Sequence, residues 1–227
     1  MMALLIMQPS FKIFKMKNRF QIILLCSVFF PCFSFAQVMP QGYLIGPSGM
    51  IGSQLWAASN LKSNVFENGE SIPYYTTTVF AGKTTPASCS VNNNSANDAI
   101  YGRLYNWYAI TDVRNVCPVN WHVPSNAEFV TLSNTIGGNG NSLKEIGTAH
   151  WANALGTDIY EFKAVGTGYM GTVSYSGLGQ STYFWTTNEV STGSTSAYTW
   201  SLFSSNSSFT QSSQGKIGGF SVRCIHD

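Results

Sequence analysis

The stretch between residues 182 and 214 contains the side chains best suited to hold a ligand, because aromatic residues alternate there with Ser, Thr and Asn. Aromatic rings supply apolar contact area at low entropic cost, and small hydroxyl and amide groups adapt their hydrogen bonds. The pattern predicts a contact surface for a glycan or a protein. The alternative is that these aromatic side chains form core on two-faced strands. The candidate binding residues are Asn188, Glu189, Tyr198, Trp200, Phe203 and Asn206.

Metal and thiol chemistry have little support in the sequence. The three histidines are far apart and form neither an H-E-x-x-H motif nor a compact zinc-ligand set. Cys117 with His122 or His150 could form a nucleophile and its base, but a disulfide is the favoured role for this cysteine. Calcium is an alternative, since Asn188–Glu189 and Asn92–Asn94 could supply oxygen ligands. We therefore expect no metal site and no cofactor.

Residues Gly166–Gly171 spell G-x-G-x-x-G, a pattern found in dinucleotide-binding folds. Such a site lies between a strand and a helix, with an acidic residue about twenty positions further on. The segment that follows, Thr172–Tyr175, has a strand-like composition, and we interpret the motif as a turn-rich loop. No pair of acidic residues is marked out by its surroundings for glycoside hydrolysis. We expect no catalytic site, and an exported enzyme acting on polysaccharide is the alternative.

The first 36 residues have the pattern of an export signal. Basic residues between Lys12 and Arg19 precede an apolar run from Phe20 to Phe33, and small residues stand at Ser34 and Ala36. This arrangement predicts cleavage between Ala36 and Gln37. The apolar run has 14 residues, fewer than the roughly 20 that span a bilayer. Met16 begins a complete signal by itself, so a true start at Met16 is an alternative.

Removal of this signal changes the charge of the chain. Four of the 12 basic residues and none of the 10 acidic residues lie in it, which leaves 8 bases against 10 acids in residues 37–227. Phosphate-backbone binding depends on clustered Lys and Arg, so nucleic acid is not an expected partner. We expect a secreted or cell-surface protein, with the periplasm as an alternative, that meets a membrane only during export.

Three cysteines follow the signal: Cys89, Cys117 and Cys224. An oxidising compartment favours one disulfide and leaves one thiol, so three pairings are open. We prefer Cys117–Cys224, because both flanking segments have the pattern of ordered structure. Cys89 instead lies in the polar stretch Ser88–Asn97.

The clearest predicted helix begins at Ser125. Ser125 and Glu128 have the spacing of a capping box, in which each side chain accepts a hydrogen bond from the other residue's backbone N–H. Phe129, Leu132 and Ile136 then form one apolar stripe facing the core. Gly137 and Gly138 supply the left-handed conformation that ends a helix.

The remaining elements are predicted with less detail. Residues 50–61 predict a strand pair around Gly52, residues 76–97 a loop with little regular structure, and residues 143–146 a short helical turn. The aromatic segment Tyr101–Ile110 is expected to be buried, as either helix or strand. Short strands and turns follow Trp151, and the last strand is expected at Gly219–Ile225.

Three blocks of the sequence, at residues 101–109, 117–125 and 219–224, resemble signature blocks of the Fibrobacter succinogenes major paralogous domain. Residues 51–56 and 60–62 resemble the opening of that family, and residues 143–145 and 150–151 resemble its middle. Several blocks in the right order are more specific than any one of them. The resemblance covers nearly all of residues 37–227. One departure is Ser90, where the family often has an aromatic residue after the matching cysteine.

The resemblance implies an α+β, C-type-lectin-like fold with about two helices, a twisted, mainly antiparallel sheet and long loops. The fold is also similar to that of formylglycine-generating enzymes, but the copper-binding cysteines of those enzymes have no counterpart here, so their oxidase activity is not expected. Family members are largely exported proteins of Bacteroidetes-type bacteria without an established reaction.

The expected function is that of an exported, non-catalytic binding module for a glycan or a surface protein. An enzyme acting on polysaccharide and a structural surface component are alternatives. A further alternative is a retroelement-diversified lectin-like protein, because such proteins end their variable segment with a similar Gly-Phe-Ser-Val-Arg-Cys. In that case residues 187–214 would be the variable face.

Overall fold

We describe the architecture from a computed structural model, which covers residues 48–76, 80, 82–172 and 174–227. The predicted signal and its cleavage position at Ala36 and Gln37 lie outside the described residues. Within the described ranges, no helix has both the length and the apolar character needed to cross a membrane.

Most of the regular structure is β-sheet. The strands are β1 Ser48–Ile51, β2 Gln54–Ala57, β3 Ser88–Ser90, β4 Arg103–Tyr105, β5 Trp121–His122, β6 Thr167–Met170, β7 Tyr175–Leu178, β8 Ser181–Glu189, β9 Ser196–Phe203, β10 Thr210–Gly215 and β11 Ile225–His226. The α-helices are α1 Asp98–Tyr101, α2 Trp107–Ile110 and α3 Asn126–Thr135. Turns of 3-10 helix cover Val91–Asn93, Ser95–Asn97 and Gly140–Ser142.

The strands form three sheets. A four-stranded sheet has the order β1-β2-β11-β5, a five-stranded sheet the order β10-β9-β8-β6-β7, and β3 pairs with β4. Nearly all pairs are antiparallel, and β6 with β8 is parallel. This arrangement of sheets and short helices is α+β, as the sequence predicts.

Helix α3 follows the predicted signals. The Ser125 hydroxyl accepts from the Glu128 backbone N–H, and the Glu128 carboxylate accepts from the Ser125 N–H at 2.7 Å. Phe129 and Leu132 are fully buried. Gly137 and Gly138 have φ angles of 61° and 70° after the helix, so the capping box, the apolar stripe and the end of the helix are all confirmed.

The aromatic core forms where α3 packs on the five-stranded sheet. The Phe129 ring stacks on the rings of Phe184 and Trp200, each at 6.2 Å between centroids. The Trp56 ring from β2 also contacts Phe129, with 5.0 Å between centroids. Helix α3 is thereby held in place between two sheets, which fixes the position of its first turn.

The Cys117–Cys224 disulfide is present, as predicted. Cys89 is a free, buried thiol, and burial raises its pKa to about 12. It lies on β3, paired with Leu104 on β4. The prediction of a loop over residues 76–97 is therefore wrong for residues 88–90. Polar Ser88 and Ser90 are buried because the strand pairs on β4, which the local composition does not reveal.

Several other elements differ in type or position from those that the sequence predicts. Residues 101–110 divide into a strand and a helix, β4 and α2. The turn expected at residues 143–146 lies earlier, at Gly140–Ser142. Of the expected last strand, residues 219–221 form isolated bridges and only Ile225 belongs to a strand, β11. The interpretation of the G-x-G-x-x-G motif as a loop is wrong, because the motif contains β6. Since β6 pairs antiparallel with β7, the motif also lacks the strand-to-helix geometry of a dinucleotide site.

Arg223 is the most deeply buried cation of the described residues, with no exposed surface. Its guanidinium donates to the carbonyls of Ala57 and Phe162 and to the side-chain oxygen of Asn60, at 2.6–2.9 Å. Burial lowers the pKa of Arg223 to about 9, against the opposing effect of the Asp158 carboxylate, so the group is charged at neutral pH. It joins three segments distant in sequence.

Candidate functional site

An open cleft of 490 Å³ lies where the first turn of α3 meets the ends of β8 and β9; we name it the α3 cleft. Three of the six predicted binding residues line it, namely Asn188, Glu189 and Tyr198. The other lining residues are Ser125, Asn126, Ala127 and Val130. The cleft volume is in the range usual for small-ligand sites.

The other three predicted residues lie elsewhere. Trp200 is only 6% exposed and belongs to the aromatic core, where its indole N–H donates to the Asn126 side-chain oxygen at 2.9 Å. Phe203 is half-buried and contacts Tyr183 edge-on. Asn206 is exposed, and its carbonyl accepts from the buried Lys144 ammonium at 2.6 Å. Of these, only Trp200 contacts a cleft residue in the described structure.

A β-bulge positions the polar side chains of the cleft. The register between β8 and β9 shifts between Trp185 and Glu189, and such bulges redirect side chains. The buried Thr186 hydroxyl stabilises the bulge, because it donates to the backbone carbonyl of Tyr198 at 3.0 Å and accepts from the backbone N–H of Asn188 at 3.2 Å. Asn188 is thereby fixed beside Tyr198.

The two asparagines of the cleft also join α3 to the sheet. The Asn188 side-chain oxygen accepts from the Asn126 backbone N–H at 2.7 Å. The Asn126 side-chain oxygen accepts from Trp200, as described above. Both amide oxygens are therefore engaged, whereas neither amide NH2 group has a hydrogen-bond partner among the described residues. The cleft thus presents free donors beside the Tyr198 ring.

Glu189 is less available to a ligand. Its carboxylate pairs with the Lys216 ammonium and accepts from the Gly193 N–H at 2.6 Å. The hydrogen bond from Lys216 lowers the pKa of Glu189. Asn92–Asn94 do not line the cleft. No group of three or more His, Cys, Asp or Glu residues within the described ranges is arranged to hold a metal ion.

Sequence reasoning missed the contribution of α3 to the cleft. The capping box identifies where the helix begins but gives no information on what its first turn faces. Ser125, Asn126 and Val130 reach the cleft from about sixty positions before Asn188. No spacing rule connects two segments that distant.

The thiol nucleophile considered from the sequence is absent, because Cys117 is in the disulfide. His122 instead lies between two carboxylates, with its ring nitrogens 2.6 Å from Asp227 and 2.8 Å from Glu128. Burial opposes the charged imidazolium, but the bonds to Asp227 and Glu128 prevail and raise the pKa of His122. For Glu128, burial is likewise outweighed, by bonds from Ser125 and His122, and its pKa is lowered.

The pairing of His122 with Glu128 predicts that the stability of the fold depends on pH. Because its pKa is raised in the folded protein, His122 stabilises the fold fully below pH 6.5, the ordinary pKa of histidine. This contribution is lost as the pH rises through the raised pKa. Because its pKa is lowered in the folded protein, Glu128 stabilises the fold above pH 4.5, the ordinary pKa of glutamate. This contribution is lost as the pH falls through the lowered pKa. Since the pair is partly solvated, replacing His122 with Gln should lower the free energy of unfolding by about 0.5–1 kcal/mol between pH 4.5 and pH 6.5. The cost should be smaller at higher pH.

Urea unfolding of the parent and of His122→Gln across this pH range measures the difference. His226→Gln is the control, because the His226 ring contacts no carboxylate side chain in the described structure. A cost for His122→Gln that stays constant from acid to alkaline pH would contradict the assignment.

Comparison with known proteins places the chain in a family. The profile of the Fibrobacter succinogenes major domain matches residues 50–226. Because this match covers most of the chain, the protein belongs to that family, as the sequence blocks indicate. No curated protein and no solved structure matches the chain.

Proposed function

We propose that the protein is an exported, non-catalytic binding module that holds a glycan in the α3 cleft. The observation that carries the proposal is the juxtaposition of the Tyr198 ring with the free amide donors of Asn126 and Asn188. A sugar has apolar C–H faces that pack on an aromatic ring and hydroxyl groups that accept from amides. The cleft offers both within one concavity.

The cleft is also preorganised for binding. Thr186 and the bulge fix Asn188, and the bond to Trp200 fixes Asn126. Side chains that are already ordered lose little conformational entropy on binding, which improves affinity. The finer C-type-lectin-like assignment of the fold is part of this proposal, supported by the antiparallel sheets and by α3 packed against them.

Export is proposed from the signal pattern before Gln37 and supported by the disulfide, because disulfides persist in oxidising compartments. The binding partner is then a glycan outside the cytoplasm or at a cell surface. We propose no cofactor for this role, since the cleft side chains bind through hydrogen bonds and ring contact.

Replacing Tyr198 with Ala is expected to reduce glycan affinity at least tenfold, because the ring contact is lost. Replacing Asn188 with Ala should reduce it about three- to tenfold, which corresponds to one hydrogen bond. A glycan array identifies the ligand for the mature domain, which is the protein after signal removal (residues 37–227). Titration calorimetry then compares the variants. Tyr198→Phe retains the ring and should bind nearly as well as the parent.

Asn68→Ala is the matched control, because Asn68 lines a different hollow with Val113 and Arg114. It should leave affinity unchanged. Turnover of the glycan would support the enzyme alternative instead. Saturable binding that is insensitive to both cleft variants would show that the ligand binds elsewhere.

A further inference from the structure

A second concavity, which we name the His150 hollow, has a volume of 290 Å³ and shares no residue with the α3 cleft. Three segments form it: the end of α1 at Tyr101, the loop at residues 148–152, and the turn after β7 at Leu178 and Gly179. It contains a histidine and a tyrosine, each with one side-chain polar atom that has no hydrogen-bond partner among the described residues.

The His150 side chain is oriented by a carboxylate. Its Nδ1 lies 2.6 Å from a carboxylate oxygen of Glu145, so Nδ1–H donates and the lone pair of the neutral ring is placed on Nε2. Nε2 has no partner among the described residues. In its neutral form the imidazole therefore offers one acceptor to the hollow.

The loop that carries His150 is tightly held. Trp151 is buried and donates its indole N–H to the Ala164 carbonyl at 2.8 Å. The His150 carbonyl accepts from the Gly166 N–H at 3.2 Å, and a Cβ on Gly166 would lie 2.6 Å from that carbonyl oxygen. Glycine at position 166 thus permits the close approach that sets the position of His150.

Tyr101 supplies the complementary donor. Its ring contacts the His150 ring edge-on, with 5.3 Å between centroids. Burial, with a smaller contribution from Glu145, raises the pKa of Tyr101, so the phenol keeps its proton at neutral pH. Its hydroxyl has no hydrogen-bond partner in the described structure. A free donor and a free acceptor are therefore carried by two rings that are in contact.

The rest of the lining defines the class of ligand. Leu178 is 39% exposed and adds apolar surface to the hollow. No Lys or Arg lines the hollow, and the nearby Glu145 carboxylate disfavours an anion. A neutral ligand with adjacent hydroxyl groups and an apolar face matches this surface, since each hydroxyl both donates and accepts.

We propose that the His150 hollow is a second carbohydrate site, which binds one neutral sugar residue between His150, Tyr101 and Leu178. Nε2 of His150 accepts from one sugar hydroxyl, and the Tyr101 hydroxyl donates to its neighbour. This inference rests on the proposed glycan-binding function for its ligand class. It makes the module bivalent, so a glycan array or cell surface would be bound with higher avidity than a monosaccharide.

The test is an NMR titration of the mature, disulfide-bonded domain with neutral methyl glycosides as probes. Binding in the hollow should shift the amide signals of Ala149 and Ala152 and the side-chain signal of His150. Binding in the α3 cleft should shift Ala127 and Val130. The two sites are thus read separately in one experiment.

Two variants sharpen the test. His150→Ala should abolish the shifts at Ala149 and Ala152 while those at Ala127 and Val130 persist, which also shows that the variant is folded. Tyr101→Phe removes only the hydroxyl and should weaken binding in the hollow about three- to tenfold. Tyr108→Phe is the control, because Tyr108 does not line the hollow, and should have no effect.

The outcomes are distinguishable. Shifts confined to the α3 cleft would overturn the second site and leave the proposed function standing. Shifts confined to the His150 hollow would support the second site and contradict the α3 cleft. Shifts at neither position, with every probe, would overturn both proposals. Shifts in the hollow that survive His150→Ala and Tyr101→Phe would overturn the roles given to those side chains.

Discussion

Replacing Arg223 with Met is expected to lower the free energy of unfolding by about 3–5 kcal/mol, the largest effect of any single substitution proposed for this chain. Met keeps much of the apolar contact with the Phe162 ring, over which the guanidinium lies at 4.2 Å. It leaves the Ala57 and Phe162 carbonyls and the Asn60 side chain without their donor. Each unsatisfied buried acceptor costs about 1–3 kcal/mol, and breaking a buried charged network costs a similar total.

Urea unfolding of the two proteins measures the difference. Arg223→Lys should recover part of the loss, because one ammonium cannot reach all three acceptors in the geometry of a guanidinium. Arg114→Met is the matched control. Arg114 pairs with Asp112 and Glu70 near the surface, where solvent screens the charges, so its loss should cost far less than that of Arg223. An Arg223→Met variant as stable as the control would refute the assigned role.

Removing the disulfide with Cys117→Ala and Cys224→Ala together is expected to cost about 4–5 kcal/mol. The bond closes a loop of 107 residues, and the loss of chain entropy in the unfolded state grows with loop length to about this value. Both cysteines are buried in the core cluster that contains Trp121 and Val222. Since domains of this size are stable by about 5–15 kcal/mol, the variant should lose about a third or more of the stability of the domain.

Thermal and urea unfolding of the double variant, and of the parent with reductant, should agree with each other. Cys89→Ala provides the control, because it removes a buried thiol but leaves the disulfide intact. It should lower stability by about 1 kcal/mol and keep its sensitivity to reductant. A double variant within about 1 kcal/mol of the parent would mean that the bond contributes little to the native fold.

The three cysteines after the signal show what the local sequence pattern predicts and what it does not. The ordered character of the segments around residues 117 and 224 predicts their pairing, and the structure confirms it. The polar composition of Ser88–Asn97 suggests a loop, but β3 is buried there. Its partner β4 begins 13 positions after β3 ends. Pairing between distant segments decided this burial, and composition does not encode it.

Strand β9 shows the same limit at the candidate site. Tyr198 and Trp200 stand two positions apart, so strand alternation places them on one face. Their environments nevertheless differ, because α3 begins at Asn126 and packs its Phe129 on Trp200. Tyr198 lies beside the first turn and lines the cleft. The sequence predicted both as binding residues because nothing local separates them.

The sequence by itself determined those features that depend on neighbouring residues: the export signal pattern, the capping box and stripe of α3, the family blocks and the preferred cysteine pair. Capping bonds and helical stripes act within one or two turns, so a short window contains their cause. Only the tertiary structure decided which parts of the aromatic stretch are core and which face the α3 cleft. It also decided that His150 and Tyr101 meet in one hollow, with the Glu145 carboxylate against the His150 ring. These placements depend on contacts between segments distant in sequence, whose geometry is set by packing of the whole domain.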